Sequence, residues 1–208
     1  MKDFLLVSII GFLVGWLILP IAVNFNFKIT PLFILGSVIG FTIFAPLMLA
    51  IIYGLSRFWP VLRQFGRFAA VGTLNTLLDI SVLNLLIYFT GFAAGLYFSL
   101  FKAISFLVAT TNSYFWNKFW TFQSKTLTNF AEYFRFAVFT FIGVLLNNGT
   151  ASFLVNIVGP KANFSPIAWA NLAALLAVAV SFLWNFCSYR YIIFSARGGS
   201  ALGGKNQN

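Results

Sequence analysis

Six long apolar runs constrain this chain more than any other feature. They lie at roughly 4–23, 31–55, 67–89, 97–119, 135–158 and 168–192. Each is near the ~20 residues that a helix needs to cross ~30 Å of hydrocarbon. The breaks carry turn chemistry: "NFNFKITP" (24–31), "SRFWPVLRQFG" (56–66), "TGFAAG" (90–95), "QSKTLTNFAEY" (123–133) and "GPKANFSP" (159–166). Composition agrees. Of 208 residues 61% are hydrophobic, 28 are Phe and only 8% are charged, against about 25% charged in a soluble domain. The expectation is an all-α, polytopic membrane protein with six transmembrane helices. The first run resembles the apolar core of a signal peptide behind Lys2, but Ile21-Ala22-Val23 offers no small-x-small cleavage site. It is read as a retained helix.

Basic residues set the expected orientation. Lys2, Arg57, Arg63, Arg67, Lys118, Lys125, Arg135, Arg190, Arg197 and Lys205 fall on one side, and Lys28, Lys102 and Lys161 on the other. That bias places both termini in the cytoplasm and the chain in the cytoplasmic (inner) membrane. The net charge of +10 is then explained by loops facing anionic membrane lipids, not by nucleic-acid binding. The tail "ARGGSALGGKNQN" (196–208) reads as disordered and cytoplasmic.

The chain also repeats itself. At an offset of 68 residues, Arg67-Phe68-Ala69 aligns with Arg135-Phe136-Ala137, Asp79 with Asn147 and Gly91 with Gly159. After a one-turn shift the closings align as well, "NKFWTF" (117–122) with "YRYIIF" (189–194). Each half is a two-helix hairpin with a cation at its start and its end, so the copies share one orientation, as parallel repeats do. The expected organisation is an extra N-terminal hairpin (1–56), an interfacial linker (57–66), a duplicated two-helix hairpin core (67–195, repeats 67–122 and 135–194) and the tail.

These residues carry a resemblance. "RFAAVGTLNTLLDISVLNLLIYFTG" followed by "NSYFWNKFWTF" resembles the first half of the GtrA-like family, and "RFAVFTFIGVLLNNGTASFLVNIVG" followed by "WNFCSYRYIIF" resembles its second half. The resemblance implies a four-helix membrane protein of cell-surface polysaccharide or teichoic-acid glycosylation. The role it implies is movement of a polyprenyl-phosphate-linked sugar across the membrane. Related domains are fused to polyprenyl-phosphate glycosyltransferases, which makes anchoring an equally natural role. The hairpin at 1–56 departs from the family pattern.

The residues exclude much catalytic chemistry. The acids are Asp3, Asp79 and Glu132, and there is no His, so neither a paired-carboxylate site nor an ordinary zinc site is expected. The lone Cys187 rules out an internal disulfide. "GSALGGKN" (199–206) ends in Asn206 where a phosphate loop needs Ser or Thr. The chain is read as a non-enzyme without a cofactor, and sugar transfer as the work of a partner.

Candidate substrate-binding residues follow from depth and polarity. Arg67, Lys118, Arg135 and Arg190 sit at headgroup level; they are either anchors that snorkel to the surface or phosphate ligands around one mouth. Asp79 lies 12 residues beyond Arg67, ~18 Å along a helix and near the bilayer centre. There an ionisable group costs at least ~2.5–3.5 kcal/mol. It is either functional or a neutral clamp bonded to Asn147 or Asn148. Asn75, one turn earlier, shares its face. Asn112, Asn147, Asn148 and Asn185 extend the polar line, for sugar hydroxyls or for helix packing. Lys102 either snorkels outward, receives the phosphate after crossing, or pairs with Asp79. Gly11-x-x-x-Gly15 and Gly36-x-x-x-Gly40 permit close helix contact, within the first hairpin or, more boldly, in a homo-oligomer.

Three functions remain open at this stage: translocation of a polyprenyl-phosphate sugar lipid, anchoring of a membrane glycosyltransferase, and proton-coupled export through Asp79. The topology itself is testable. Single cysteines replacing Asn26, Phe92 and Ala162 are expected to label from outside the cell, and one replacing Thr126 from inside; inside labelling at position 92 would overturn the repeat orientation.

Overall fold

The computed structural model describes residues 1–24, 26–160 and 165–195. Lys161, Arg197, Lys205 and the tail 196–208 lie outside the described residues. The elements are α1 (Lys2–Asn24), α2 (Pro31–Leu55), α3 (Val61–Thr90), α4 (Gly95–Trp116), α5 (Phe130–Ser152) and α6 (Pro166–Ser188). Helices α4, α5 and α6 continue into π-helical turns at Asn117–Thr121, Phe153–Val158 and Tyr189–Ile193. The chain is an all-α, multi-pass membrane protein. Five spans are long and apolar enough to cross a membrane: α1, α2, α3, Phe130–Val158 and Leu172–Ile193. Helix α4 has the length, 22 residues, but Lys102, Ser105, Thr110, Thr111 and Asn112 dilute its apolar character. A crossing of this kind needs protein partners for its polar face.

Local chemistry fixes the helix ends. Thr30 caps α2 through its hydroxyl, which accepts from Phe33 N–H at 3.1 Å, and Pro31 follows at the first helical position. Asn129 caps α5, accepting from Glu132 N–H at 2.8 Å. The repeat-related glycines both stop a helix hairpin with left-handed φ, +74° at Gly91 and +66° at Gly159. The stretch 57–66 is not linker throughout, because α3 starts at Val61, directly after Pro60.

Two compact units result, Met1–Gln123 and Ser124–Asn208. In the first, α1 packs on α2 and α3, α2 packs on α3, and α3 packs on α4. The added hairpin therefore sits in the same unit as the first repeat. Val7, Ile10, Val14, Leu49, Val71, Leu74 and Trp120 form its buried apolar core. Polar bonds join α1 to α3 along their length. Arg67 pairs with Asp3 at one end at 2.7 Å, Ser81 Oγ donates to the Leu17 carbonyl, and Asn24 Nδ2 donates to Asn84 Oδ1 at 2.7 Å at the other end. Interhelical hydrogen bonds in membranes contribute about 0.6 kcal/mol each on average. In the second unit α5 and α6 form one antiparallel pair.

The two glycine motifs have different fates. A Cβ at Gly11 would overlap the Phe41 carbonyl, and one at Gly15 would come within 2.8 Å of the Ser37 carbonyl oxygen. Gly11 and Gly15 therefore let α1 touch the backbone of α2. At Gly36 and Gly40 an added Cβ meets nothing within 4 Å. Gly11→Val is expected to cost about 1–3 kcal/mol, as overpacking does, and to lower the melting temperature in detergent. Gly36→Ala and Gly40→Ala are expected to leave it within error; equal losses at all these positions would contradict the packing.

Candidate functional site

Helices α3 and α4 meet along a polar seam. Asn75 and Asp79 are one turn apart on α3, and Lys102, Ser105 and Asn112 share a face of α4. Asn112 Nδ2 donates to Asn75 Oδ1 at 2.7 Å. Ser105 Oγ donates to Asp79 Oδ1 at 2.6 Å, and Lys102 Nζ pairs with Asp79 Oδ2. Ser105 is fully buried; the side chains of Asp79 and Lys102 are 22% and 45% exposed. Within its own unit the Asp79 carboxylate has Lys102 and Ser105 as partners, the pairing with Lys102 that the sequence offered as one alternative. The reason is geometric. Asp79 lies 11 residues before the end of α3 and Lys102 7 residues after the start of α4. The difference in depth is ~6 Å, within reach of a lysine side chain.

The seam brings together five groups that a polar ligand can use: two amides, a hydroxyl and an opposite charge pair. Asn75 Nδ2 is buried without a partner among the described residues. An unmet buried donor costs ~1–3 kcal/mol and is offset when a ligand hydroxyl or a water supplies an acceptor.

The rim cations are built differently from one another. Arg67 Nη2 donates to Asp3 Oδ2 at 2.7 Å, Nε to the Tyr53 hydroxyl at 3.0 Å, and Nη1 to the Trp120 carbonyl at 3.3 Å. Tyr53 donates to Asp3 Oδ2 at 2.6 Å and Trp120 Nε1 to Asp3 Oδ1 at 2.9 Å. Arg67 is thus met by an acid of the added hairpin. Lys118 is 0% exposed; its ammonium lies 5.6 Å from the Tyr114 ring centroid. Arg190 lies over Phe186 at 6.0 Å and Tyr191 at 5.3 Å, with Nη1 buried and unpartnered among the described residues. Lys118 and Arg190 are each second in a π-helical turn, each above an aromatic ring four residues earlier. π-helical turns often accompany functional positions. Arg135, on α5, is exposed.

The second unit carries a neutral version of the seam. Asn147 Nδ2 donates to Ser181 Oγ at 3.3 Å, so Asn147, like Asp79, bonds a serine of the next helix. Asn185 packs against Gly143, where its amide fills the place of a Cβ, and its Oδ1 is buried without a partner among the described residues. Thr140 and Tyr189 share a hydroxyl pair at 2.6 Å. Asn148 is exposed and outside this cluster. Sequence reasoning missed Asp3, Tyr53, Ser105 and Trp120. For Asp3 a signal existed: it is an acid in the first turn of α1, at the end that gathers most cations.

No cluster of three metal-ligating side chains occurs among the described residues. A multi-pass helical protein with polar seams inside apolar hairpins is a membrane protein built to hold polar groups at depth. Comparison with family models matches residues 67–194 to the GtrA/DPMS transmembrane domain, and the chain belongs to that family. Its members are concerned with polyprenyl-linked sugars. No curated protein and no solved structure matches the chain. The match begins at Arg67, so Asp3 and Tyr53 are contributed from outside it.

The charge pair at the seam is open to a direct test. Asp79→Ala and Lys102→Ala are each expected to destabilise the folded protein by stranding the partner's charge. A double-mutant cycle on thermal unfolding in nanodiscs should return a coupling of ~0.5–3 kcal/mol; additive losses would mean the ion pair does not form.

Proposed function

We propose that this protein translocates a polyprenyl-phosphate-linked monosaccharide across the cytoplasmic membrane, for glycosylation of a cell-envelope polysaccharide or teichoic acid. The observation that carries the reading is the α3–α4 seam, where Asn112, Asn75, Ser105, Asp79 and Lys102 follow one another along the helices. A sugar phosphate leaving the headgroups loses water at both its hydroxyls and its charge. Amides and hydroxyls replace the first, and Lys102 meets the second. The Lys102 ammonium has donors to spare beside its bond to Asp79, so it meets the incoming phosphate without releasing the carboxylate, which Ser105 also holds. The orientation with both termini cytoplasmic belongs to this proposal, as does sugar transfer by a separate glycosyltransferase.

A second reading is a non-transporting membrane anchor for such a glycosyltransferase. It draws on Arg67, whose charge is already met by Asp3, and on Lys118, which is buried against Tyr114. Both are consistent with cations that serve packing.

Translocation in vesicles separates the two. Purified protein is expected to accelerate the crossing of a labelled polyprenyl-phosphoryl glucose over empty vesicles. Asp79→Asn keeps the hydrogen-bonding shape but not the charge and should slow crossing by about tenfold or more, on the scale of one charge-assisted hydrogen bond. Crossing no faster than in empty vesicles, from folded protein and with no rescue by partner or gradient, would leave the anchor.

A further inference from the structure

At the end of the first unit where Asp3 and Arg67 meet, a cleft of about 330 Å³ opens between the start of α1 and the end of α4. Its walls are Phe115, Trp116, Phe119 and Trp120, with Lys2 and Asn112 as the polar contributors. We propose that this cleft is the subsite for the sugar-phosphate headgroup. The aromatic rings pack on the sugar ring, Asn112 bonds a hydroxyl and Lys2 pairs with the phosphate. The identity of the lipid rests on the translocation reading above; the cleft and its chemistry do not.

Size sets the first limit. Small-molecule sites start at about 300 Å³, so this cleft has room for a single sugar unit with its phosphate. Wall chemistry sets the second. A pyranose shows apolar C–H faces and a polar rim, and it therefore needs flat apolar partners plus a few hydrogen-bonding groups. Phe115 and Phe119 stack at 6.2 Å with planes 11° apart, and Trp116 meets Trp120 edge-on at 5.6 Å. These pairs brace one another one helical turn apart. The indole N–H of Trp120 is engaged by Asp3 at 2.9 Å. That bond fixes its ring, which makes Asp3 a positioning residue for the wall.

Charge sets the third limit. Lys2 is exposed and belongs to neither the Asp3–Arg67 nor the Asp79–Lys102 pair. Its neighbour Asp3 is turned to Arg67, Tyr53 and Trp120. An ammonium at headgroup depth beside aromatic walls and without an internal counter-charge is suited to an anionic ligand. The cleft also leads onward. Asn112 lines it and donates to Asn75 at 2.7 Å, so a headgroup held here touches the first rung of the seam. Lys2 lies outside the residues matched to the family, 67–194. The added hairpin thus supplies the phosphate partner of a site whose aromatic wall belongs to the family core.

Binding in nanodiscs tests this with the full chain. The probes are a radiolabelled polyprenyl-phosphoryl glucose, the sugar-less polyprenyl phosphate and soluble glucose 1-phosphate. Trp116→Leu and Phe119→Leu are expected to weaken the glucose lipid about tenfold, as loss of an aromatic platform does, and to leave polyprenyl phosphate unchanged. Lys2→Gln, at an exposed position where folding is not at stake, should weaken both lipids. Lys28→Gln, an exposed cation at the opposite end of α1, should weaken neither. Unchanged glucose-lipid affinity in Lys2→Gln and Trp116→Leu would overturn the cleft while leaving translocation standing. Binding of neither lipid by the wild type would overturn the reading beneath it. Competition by glucose 1-phosphate at equal affinity would identify a soluble sugar phosphate as the ligand and overturn the lipid assignment.

Discussion

One carboxylate holds the first unit together. Asp3 of α1 accepts from Tyr53 of α2, from Arg67 of α3 and from Trp120 in the turn after α4. Each helix of the unit reaches the same acid. Both charged side chains are mostly buried, at 16% and 19% exposure, so the pair is neither a solvated surface contact nor a fully dry one. Removing one partner from such a pair strands the other and costs more than the pair itself contributes. The apolar packing below it is non-directional, because lipid tails solvate Leu and Phe as well as a neighbouring helix does. Directional bonds at the rim therefore set the rotation of each helix about its axis. That rotation is what turns Asn75 and Asp79 toward α4.

The seam depends on that setting. A carboxylate at the depth of Asp79 is tolerated when a cation and a hydroxyl reach it, and Lys102 and Ser105 do so. The second unit uses Asn147 and Ser181 at the corresponding place and needs no counter-ion. Among the described residues, the interhelical seam is thus charged in the first hairpin and neutral in the second. A uniform neutral seam would pack helices equally well. The charged version adds what packing does not require, an ion pair at depth.

Much of the fold was legible in the sequence because helix length, glycine stops and capping residues act locally. Run lengths predicted the six helices, five of which are long and apolar enough to cross a membrane, and Gly91 and Gly159 take left-handed φ where the repeat paired them. The matching of "NKFWTF" with "YRYIIF" reappears as matching π-helical turns with Lys118 and Arg190 above aromatic rings. The pairing of residues across helices was less legible. Asp3 and Arg67 are 64 positions apart, and their contact depends on the crossing of α1 and α3, which Gly11 and Gly15 help to set against α2. Gly36 and Gly40 have the same spacing and take no such part, because a small residue permits close approach without causing it. Asp79 and Lys102 looked separated in depth until the helix ends were known to a residue or two. Over a distance of one lysine side chain, that uncertainty decides whether two charges meet.

The extra hairpin follows from these facts as a component of the site and not an appendage. Its acid fixes Arg67 and Trp120, its tyrosine completes the same knot, and its lysine lines the aromatic cleft. These contributions fall on Arg67, where the family match begins, and on Trp120 and the cleft residues well inside it. A core of α3 and α4 alone would leave Arg67 without its acid and Trp120 without the bond that orients its ring. Arg67 would then be available as a rim cation. With the hairpin present, Arg67 is engaged by Asp3, and Lys2 is an exposed cation beside the aromatic cleft. The hairpin thus both neutralises the cation at the entrance of α3 and brings a lysine of its own to the cleft lined by Phe115, Trp116, Phe119 and Trp120.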